Sequence, residues 1–236
     1  MGDTAENVAD KCGVTREEMD RYAAQSQARA VRATEDGIFA NEIIPVPLPG
    51  GATMTADDGP RPGTTQEKLA ALQPVFRADG RVTAGNSCPL NDGAAAAVVM
   101  SNALASQLGI RPLARIVSTG VSSLEPELMG LGPIESSRQA LQRAGMTIDD
   151  VDTVEINEAF AAQVLPSAAS IGVDPFSDKL NPLGGAIALG HPFGMTGVRI
   201  LSTLLNGLAA ADKTVGLETM CVGGGQGMAM VVERLS

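Results

Sequence analysis

The sequence predicts an α/β protein, and three observations carry that reading. After Pro112, apolar runs of strand length alternate with stretches of helical periodicity, joined by glycine-rich connections. The chain holds 27 glycines, no tryptophan, one tyrosine and five phenylalanines, so its elements must meet through small side chains and close backbone approach. Its 44% hydrophobic and 19% charged residues are those of an ordinary globular chain, not a disordered one. A length of 236 residues allows one or two domains and a sizeable core.

The elements follow in chain order. Residues 1 to 40 read as helical. Thr15-Arg16-Glu17-Glu18 is a capping box, after which Met19, Tyr22, Ala23 and Ala30 recur at helical spacing until Gly37. Glu42 to Val46 is a short strand candidate closed by Pro45 and Pro47. Residues 48 to 65, rich in Pro and Gly, form an irregular loop of a length that is often functional. A short helix is expected from Gln66 to Leu72, a strand-like run from Arg81 to Ala84, a turn at Asn91-Asp92-Gly93 and a buried strand from Ala94 to Met100. Pro112 marks a boundary. Beyond it come a strand (Leu113 to Val121), a helix (Ile134 to Ala144), a strand (Thr153 to Ile156) and a helix (Ala159 to Ser170). The chain closes with a helix (Thr196 to Ala211) and two strands, Thr214 to Met220 and Met228 to Glu233, around a glycine turn.

Several function classes are excluded. With 27 acidic against 17 basic residues the net charge is -10, which argues against nucleic-acid partners and anionic membrane surfaces. The longest apolar run, Ala94 to Met100, is far short of the ~20 residues that cross a bilayer, so no membrane insertion is expected. The N-terminus has no signal-peptide pattern. Three cysteines without a CxxC pair, and a single histidine, speak against a disulfide framework or a metal site, and make a reducing cytoplasm the expected compartment.

Three segments at strand ends carry the chemistry: Asn157-Glu158-Ala159-Phe160-Ala161, the glycine-rich run from Gly184 to Gly197, and Cys221-Val222-Gly223-Gly224-Gly225-Gln226-Gly227. A nucleotide-binding reading fails on spacing, because His191-Pro192 stands where a phosphate loop needs Lys-Ser/Thr and Met228 where a dinucleotide fingerprint needs glycine. No GxSxG elbow is present. Glycines let backbone amides approach a developing oxyanion, His191 can exchange a proton near neutral pH, Cys221 is a tunable thiol, and Asn157 can hold a water or a carbonyl. Together these are the parts of an acyl-transfer or carbanion site. Taken singly, each residue has an ordinary structural explanation. The balance shifts because the only histidine lies inside the densest glycine motif, and all three motifs fall in one half of the chain.

NEAFA, GGAIALGHPFGMTG and CVGGGQG, in that order, resemble the three C-terminal signature blocks of the thiolases, the acetyl-CoA acyltransferases and acetyltransferases. MGDTAENVA, GTTQEKLAALQPVF and VTAGNSCPLNDGAAA resemble upstream segments of the same family, so the likeness covers essentially the whole chain. The resemblance implies a layered α-β-α-β-α sandwich built from two similar halves. It further implies a loop domain covering coenzyme A at residues 1–85, a remnant of the first half at 86–111 and a complete second half at 112–236.

It also implies roles. His191 is similar to the histidine that deprotonates the nucleophilic cysteine and polarises the thioester oxygen. Asn157 is similar to the asparagine that holds a water in that oxyanion hole, Cys221 to the acid/base acting on the acetyl-CoA methyl, and the Gly223 amide to part of a second oxyanion hole. Arg61 resembles a coenzyme A contact, while Ser87 and Cys88 fall at the pantetheine arm, Cys88 replacing a hydroxyl. The implied activity is thiolytic cleavage of a 3-oxoacyl-CoA or its reversal by Claisen condensation, as in fatty-acid β-oxidation. Coenzyme A is then a substrate, no cofactor is permanently bound, and the assembly is a homo-oligomer. The family's acyl-accepting cysteine lies upstream of the block that begins this sequence. On that expectation the chain is a truncated or separately encoded C-terminal portion, inactive until another chain supplies the nucleophile. The competing expectation is a non-catalytic acyl-CoA or lipid-binding protein.

Overall fold

A computed structural model describes residues 1–236. Helix α1 (Gly2–Cys12) ends on Gly13 in the left-handed region, and α2 (Arg16–Glu35) opens on the expected capping box. There the Glu18 amide donates to the Thr15 hydroxyl, and the Thr15 amide donates to the Glu18 carboxylate at 2.8 Å. Met19, Tyr22, Ala23, Ser26 and Ala30 form the buried stripe of α2, which stops just before Gly37. Two-residue strands β1 (Val46–Pro47) and β2 (Thr53–Met54) pair antiparallel within the Pro/Gly-rich region, followed by α3 (Gln66–Ala70) and α4 (Asn102–Leu108).

The rest of the chain forms one four-stranded mixed sheet with order β3-β6-β5-β4. Its elements are β3 (Ala114–Ser123), α5 (Gly132–Ala144), β4 (Thr153–Ile156), α6 (Ala161–Ser170), α7 (Ala186–Leu189), α8 (Thr196–Ala210), β5 (Val215–Val222) and β6 (Gln226–Arg234). Strands β4 and β5 are parallel, whereas β3–β6 and β5–β6 are antiparallel. Alternation along β5 assigns the faces. Leu217 and Thr219 look toward α5, where the Thr219 and Ser136 hydroxyls meet at 3.3 Å. Gly216 and Glu218 look toward α8, and a Cβ on Gly216 would lie 2.7 Å from Leu204. Helices therefore cover both faces, as the strand-helix alternation predicts. Gly120 of β3 lies so close to the Ser136 carbonyl that any side chain there would overlap it.

Several expectations before Pro112 need correction. Ala94 to Met100 was expected as a buried strand, but it runs extended outside any sheet, with Val98 85% and Val99 74% exposed. A strand is defined by its neighbour, and no other strand of this chain lies beside this segment. Arg81 to Ala84 and Glu42 to Ile44 are likewise outside any sheet, and Asn91–Gly93 makes no tight turn. Helix α4, capped by the Ser101 hydroxyl and Gly109, was not anticipated. In the longer α8, Val198, Leu201 and Leu205 are half-buried, the two leucines packing against Leu204, Leu208 and Val232. No helix is long and apolar enough to cross a membrane.

Glu155 of β4 and Glu218 of β5 stand side by side in register, both buried beneath Arg199 of α8. Burial pushes the Glu218 carboxyl up to about 8, the Arg199 charge working against that shift. The folded state thus holds a proton that the unfolded chain, with an ordinary carboxyl near 4.5, gives up first. This contribution to stability is complete below the unfolded value and is lost as pH rises toward about 8. Glu218→Gln, neutral at every pH, should flatten the decline in urea-denaturation midpoint across that window. An identical decline in parent and variant would mean that Glu218 is ionised in the fold.

Candidate active site

Because β4 and β5 are parallel, their carboxyl ends lie at the same edge of the sheet, which is where open α/β sheets place their sites. Asn157 follows β4 directly, and its amide donates to the Thr219 carbonyl of β5 at 3.0 Å. Cys221 lies near the end of β5, opposite Gly227 of β6. The intervening turn runs through Gly224 and Gly225, both at φ 87, a backbone conformation that favours glycine. Gly223 borders open space.

His191 arrives from the far side of the site. Short helix α7 ends at Gly190, whose φ of 92 turns the chain, and the His191 amide donates to Asn91 Oδ1 at 3.0 Å. His191 Nδ1 lies 2.8 Å from Thr196 Oγ1. The Thr196 hydroxyl donates its own proton to the Pro192 carbonyl at 2.8 Å, so it can only accept from the imidazole. This relay places the ring proton on Nδ1 and leaves Nε2 as the free base. The Asn157 amide nitrogen sits 3.3 and 3.4 Å from Nδ1 and Nε2. Asn157 Oδ1 is buried and has no protein partner, a polar atom in place for a water or ligand.

Burial tunes the groups in opposite directions. The imidazole is held below 6.5 by desolvation, with the Arg199 charge adding to the effect, so it is neutral at physiological pH. Burial pushes the Cys221 thiol up to about 11, and the thiol of Cys88 adds to that shift. Cys88 is itself pushed up to about 11, mainly by burial. Both cysteines stay protonated near neutral pH. Cys88 reaches this place because residues 86–88 run antiparallel beside 159–161: the Cys88 amide donates to the Ala159 carbonyl at 3.0 Å and the Ala161 amide to the Asn86 carbonyl at 2.9 Å.

The sequence-derived residues thus fall into two groups. Asn157, His191, Cys221, Gly223 and Cys88 gather at the sheet edge. Arg61 is exposed in the loop, and its guanidinium makes no hydrogen bond within the chain. Ser87 is buried, and its hydroxyl donates to the Thr83 carbonyl at 2.6 Å. Thr196 and Asn91, which set the histidine's tautomer and place its backbone, were not singled out from the sequence. Thr196 carried the available signal, lying within the same glycine-rich run as the histidine. Leu90, Asn91, Gly93, His191 and Phe193 border an open cleft of about 510 Å³.

His191 is the only histidine, so its ring can be followed without assignment. Its NMR titration midpoint should lie below 6.5, and its nitrogen shifts should report the Nδ1-protonated tautomer. Thr196→Val should redistribute the proton toward Nε2. A ring already protonated on Nε2 in the parent would refute the relay.

Residues 1–103 match the family described as "Thiolase, N-terminal domain", and residues 110–234 match "Thiolase, C-terminal domain". The chain is 50% identical over 239 aligned residues to an acetyl-CoA acetyltransferase of Escherichia coli K12, and 49% identical to one of Pseudomonas aeruginosa. It aligns over 100% and 99% of its own length but spans 60% of each relative. Its structure superposes on a crystal structure of the Bacillus anthracis acetyl-CoA acetyltransferase with a TM-score of 0.96 at 42% identity, covering 100% of this chain and 60% of that one. The human mitochondrial 3-ketoacyl-CoA thiolase gives 0.90 at 41%, covering 99% and 59%.

Proposed function

We propose that this chain, which belongs to the thiolase family, carries the proton-moving and coenzyme A-facing part of a thiolase site. The reaction is thiolytic cleavage of a 3-oxoacyl-CoA to acetyl-CoA and a shortened acyl-CoA, or the reverse Claisen condensation. The observation that carries this reading is the Asn157–His191 pair, with the unpartnered Asn157 oxygen, set at the same sheet edge as Cys221.

In this reading neutral His191 accepts, at Nε2, the thiol proton of an acyl-accepting cysteine. The thiolate attacks the 3-oxo carbon, and the bond between C2 and C3 breaks. The electron pair left on C2 takes the Cys221 proton, which releases acetyl-CoA. The thiol of a second coenzyme A then returns a proton to Cys221. Its sulfur attacks the acyl-enzyme, the shortened acyl-CoA leaves, and His191 gives its proton back to the cysteine. A thiol held near 11 stays protonated for delivery to a carbanion, and a depressed imidazole is ready to act as a base. Amides around Gly223 and the asparagine-held water stabilise the two oxyanions. Arg61 and Cys88 serve coenzyme A, and Ser87 shapes the wall behind the pantetheine arm.

The acyl-accepting cysteine comes from the family's remaining length, in the same polypeptide or in a separate chain. Cys12, exposed at the end of α1, and Cys88, held at the pantetheine position, do not take its place. The domain division is residues 1–85, 86–111 and 112–236. The exposed Val98 and Val99 support a covering partner, either the first half of the fold or another subunit of a homo-oligomer. The setting is a reducing cytoplasm, in keeping with chemistry that needs free thiols.

Loss of 3-oxoacyl-CoA in the presence of CoA tests this reading. Turnover is expected when the chain is mixed with a separately expressed first half of a thiolase, and none from the chain alone. His191→Gln and Cys221→Ser in the mixture should each lower kcat by about 10²-fold or more. A folded chain that binds CoA but stays inactive in the mixture would support the non-catalytic acyl-CoA-binding alternative. No CoA binding would refute both.

A further inference from the structure

We infer that Gln27 is a positioning residue that ties the Arg61 loop to the helix delivering His191. The inference rests on the coenzyme A reading of Arg61, and its structural basis is independent of that reading. Gln27 lies on α2, far in sequence from the three site motifs, and is buried with both ends of its carboxamide in use. Its Oε1 accepts from the Arg61 amide at 2.8 Å, and its Nε2 donates to the Ile187 carbonyl of α7 at 3.3 Å.

A second contact joins the same two segments. Gly59 packs so tightly on the Ala188 carbonyl that any Cβ would overlap it, and a backbone carbonyl cannot rotate aside. Residues 59–61 are therefore held against residues 187–188, immediately before Gly190 turns the chain into His191.

Ile187 is held from its other side as well. Its amide donates to Glu158 Oε2 at 3.1 Å, and Glu158 directly follows Asn157. One residue of α7 thus joins three parts of the site. Its amide leads to Asn157 through Glu158, its carbonyl leads to Arg61 through Gln27, and its helix leads to His191. A ligand that orders the loop at Arg61 acts on the position of His191 through Gln27, without touching the ring.

The test uses the whole chain, coenzyme A as the probe and the single histidine as the reporter. Gln27→Met keeps the length of the side chain and removes both hydrogen bonds. It should weaken CoA binding by calorimetry about tenfold, the worth of two modest hydrogen bonds. It should also abolish the CoA-induced shift of the His191 ring signal and speed hydrogen exchange at the Arg61 amide. In the reconstituted enzyme the loss should fall on KM for CoA more than on kcat. Gly59→Ala should reproduce these effects by pushing the loop off α7, and it carries the test if Gln27→Met does not fold. The double variant should be little worse than either single one.

Unchanged affinity and an unchanged ring shift in a folded Gln27→Met would overturn the inference. If the parent binds no CoA, the reading of Arg61 fails instead. The bridge is then judged without ligand: faster Arg61 exchange and a moved ring signal in Gln27→Met sustain it, and unchanged values overturn it.

Discussion

Glu158 is a carboxylate with no exposed surface, and the site is built around the requirement to satisfy it. A buried carboxylate is strongly unfavourable unless donors surround it. Here one oxygen accepts from the Tyr22 hydroxyl at 2.8 Å and the Asn181 amide at 2.9 Å, while the other accepts from the Ser26 hydroxyl at 2.6 Å and the Ile187 amide at 3.1 Å. These donors come from α2, from the connection after α6, and from α7. Removing any of those elements strips a donor from the buried carboxylate, so Glu158 ties their placement together. Asn157 is its neighbour in sequence, and the position of the asparagine is set by the same constraint.

Close backbone contact is the second constraint, and it explains the composition. Gly185 lies against the Glu158 carboxylate, Gly184 against the Ser26 carbonyl and Ala30 of α2, and Gly227 against Gly132 at the start of α5. At each of these places a side chain would overlap its neighbour. Layers this close leave little room for aromatic rings, which accounts for the five phenylalanines and one tyrosine. The single tyrosine is spent on Glu158, where its hydroxyl has a defined partner.

One cause, desolvation, sorts the site's proton chemistry. It disfavours the charged form of every group, so it lowers the imidazole and raises the two thiols. The result is a neutral base and protonated acids at one site. The same argument applies beneath α8, where Arg199 faces two buried carboxyls and its terminal nitrogens have no partner among the protein atoms.

Local features of this protein were legible in its sequence wherever the physics is local. The capping box at Thr15, the end of α5 at Gly145 and the strand Thr153–Ile156 depend on neighbours a few residues away, and they form where the pattern places them. The three glycine- and asparagine-bearing motifs were legible for the same reason: each is a short run whose residue types have few other uses. Ala94 to Met100 was misread because a strand also needs a partner strand, and apolar runs do not encode which strand will lie beside them. Thr196, Asn91 and Gln27 were missed because their roles arise from contacts that only folding creates. Gln27 and Ile187 are 160 residues apart, and Asn91 and His191 are 100 apart. The chemical groups of the site, and the elements whose signals are local, follow from the sequence alone. The tertiary structure alone decided the tautomer of His191, the acidity of its thiols and the junction at Ile187, because burial and long-range hydrogen bonds exist only once distant segments meet.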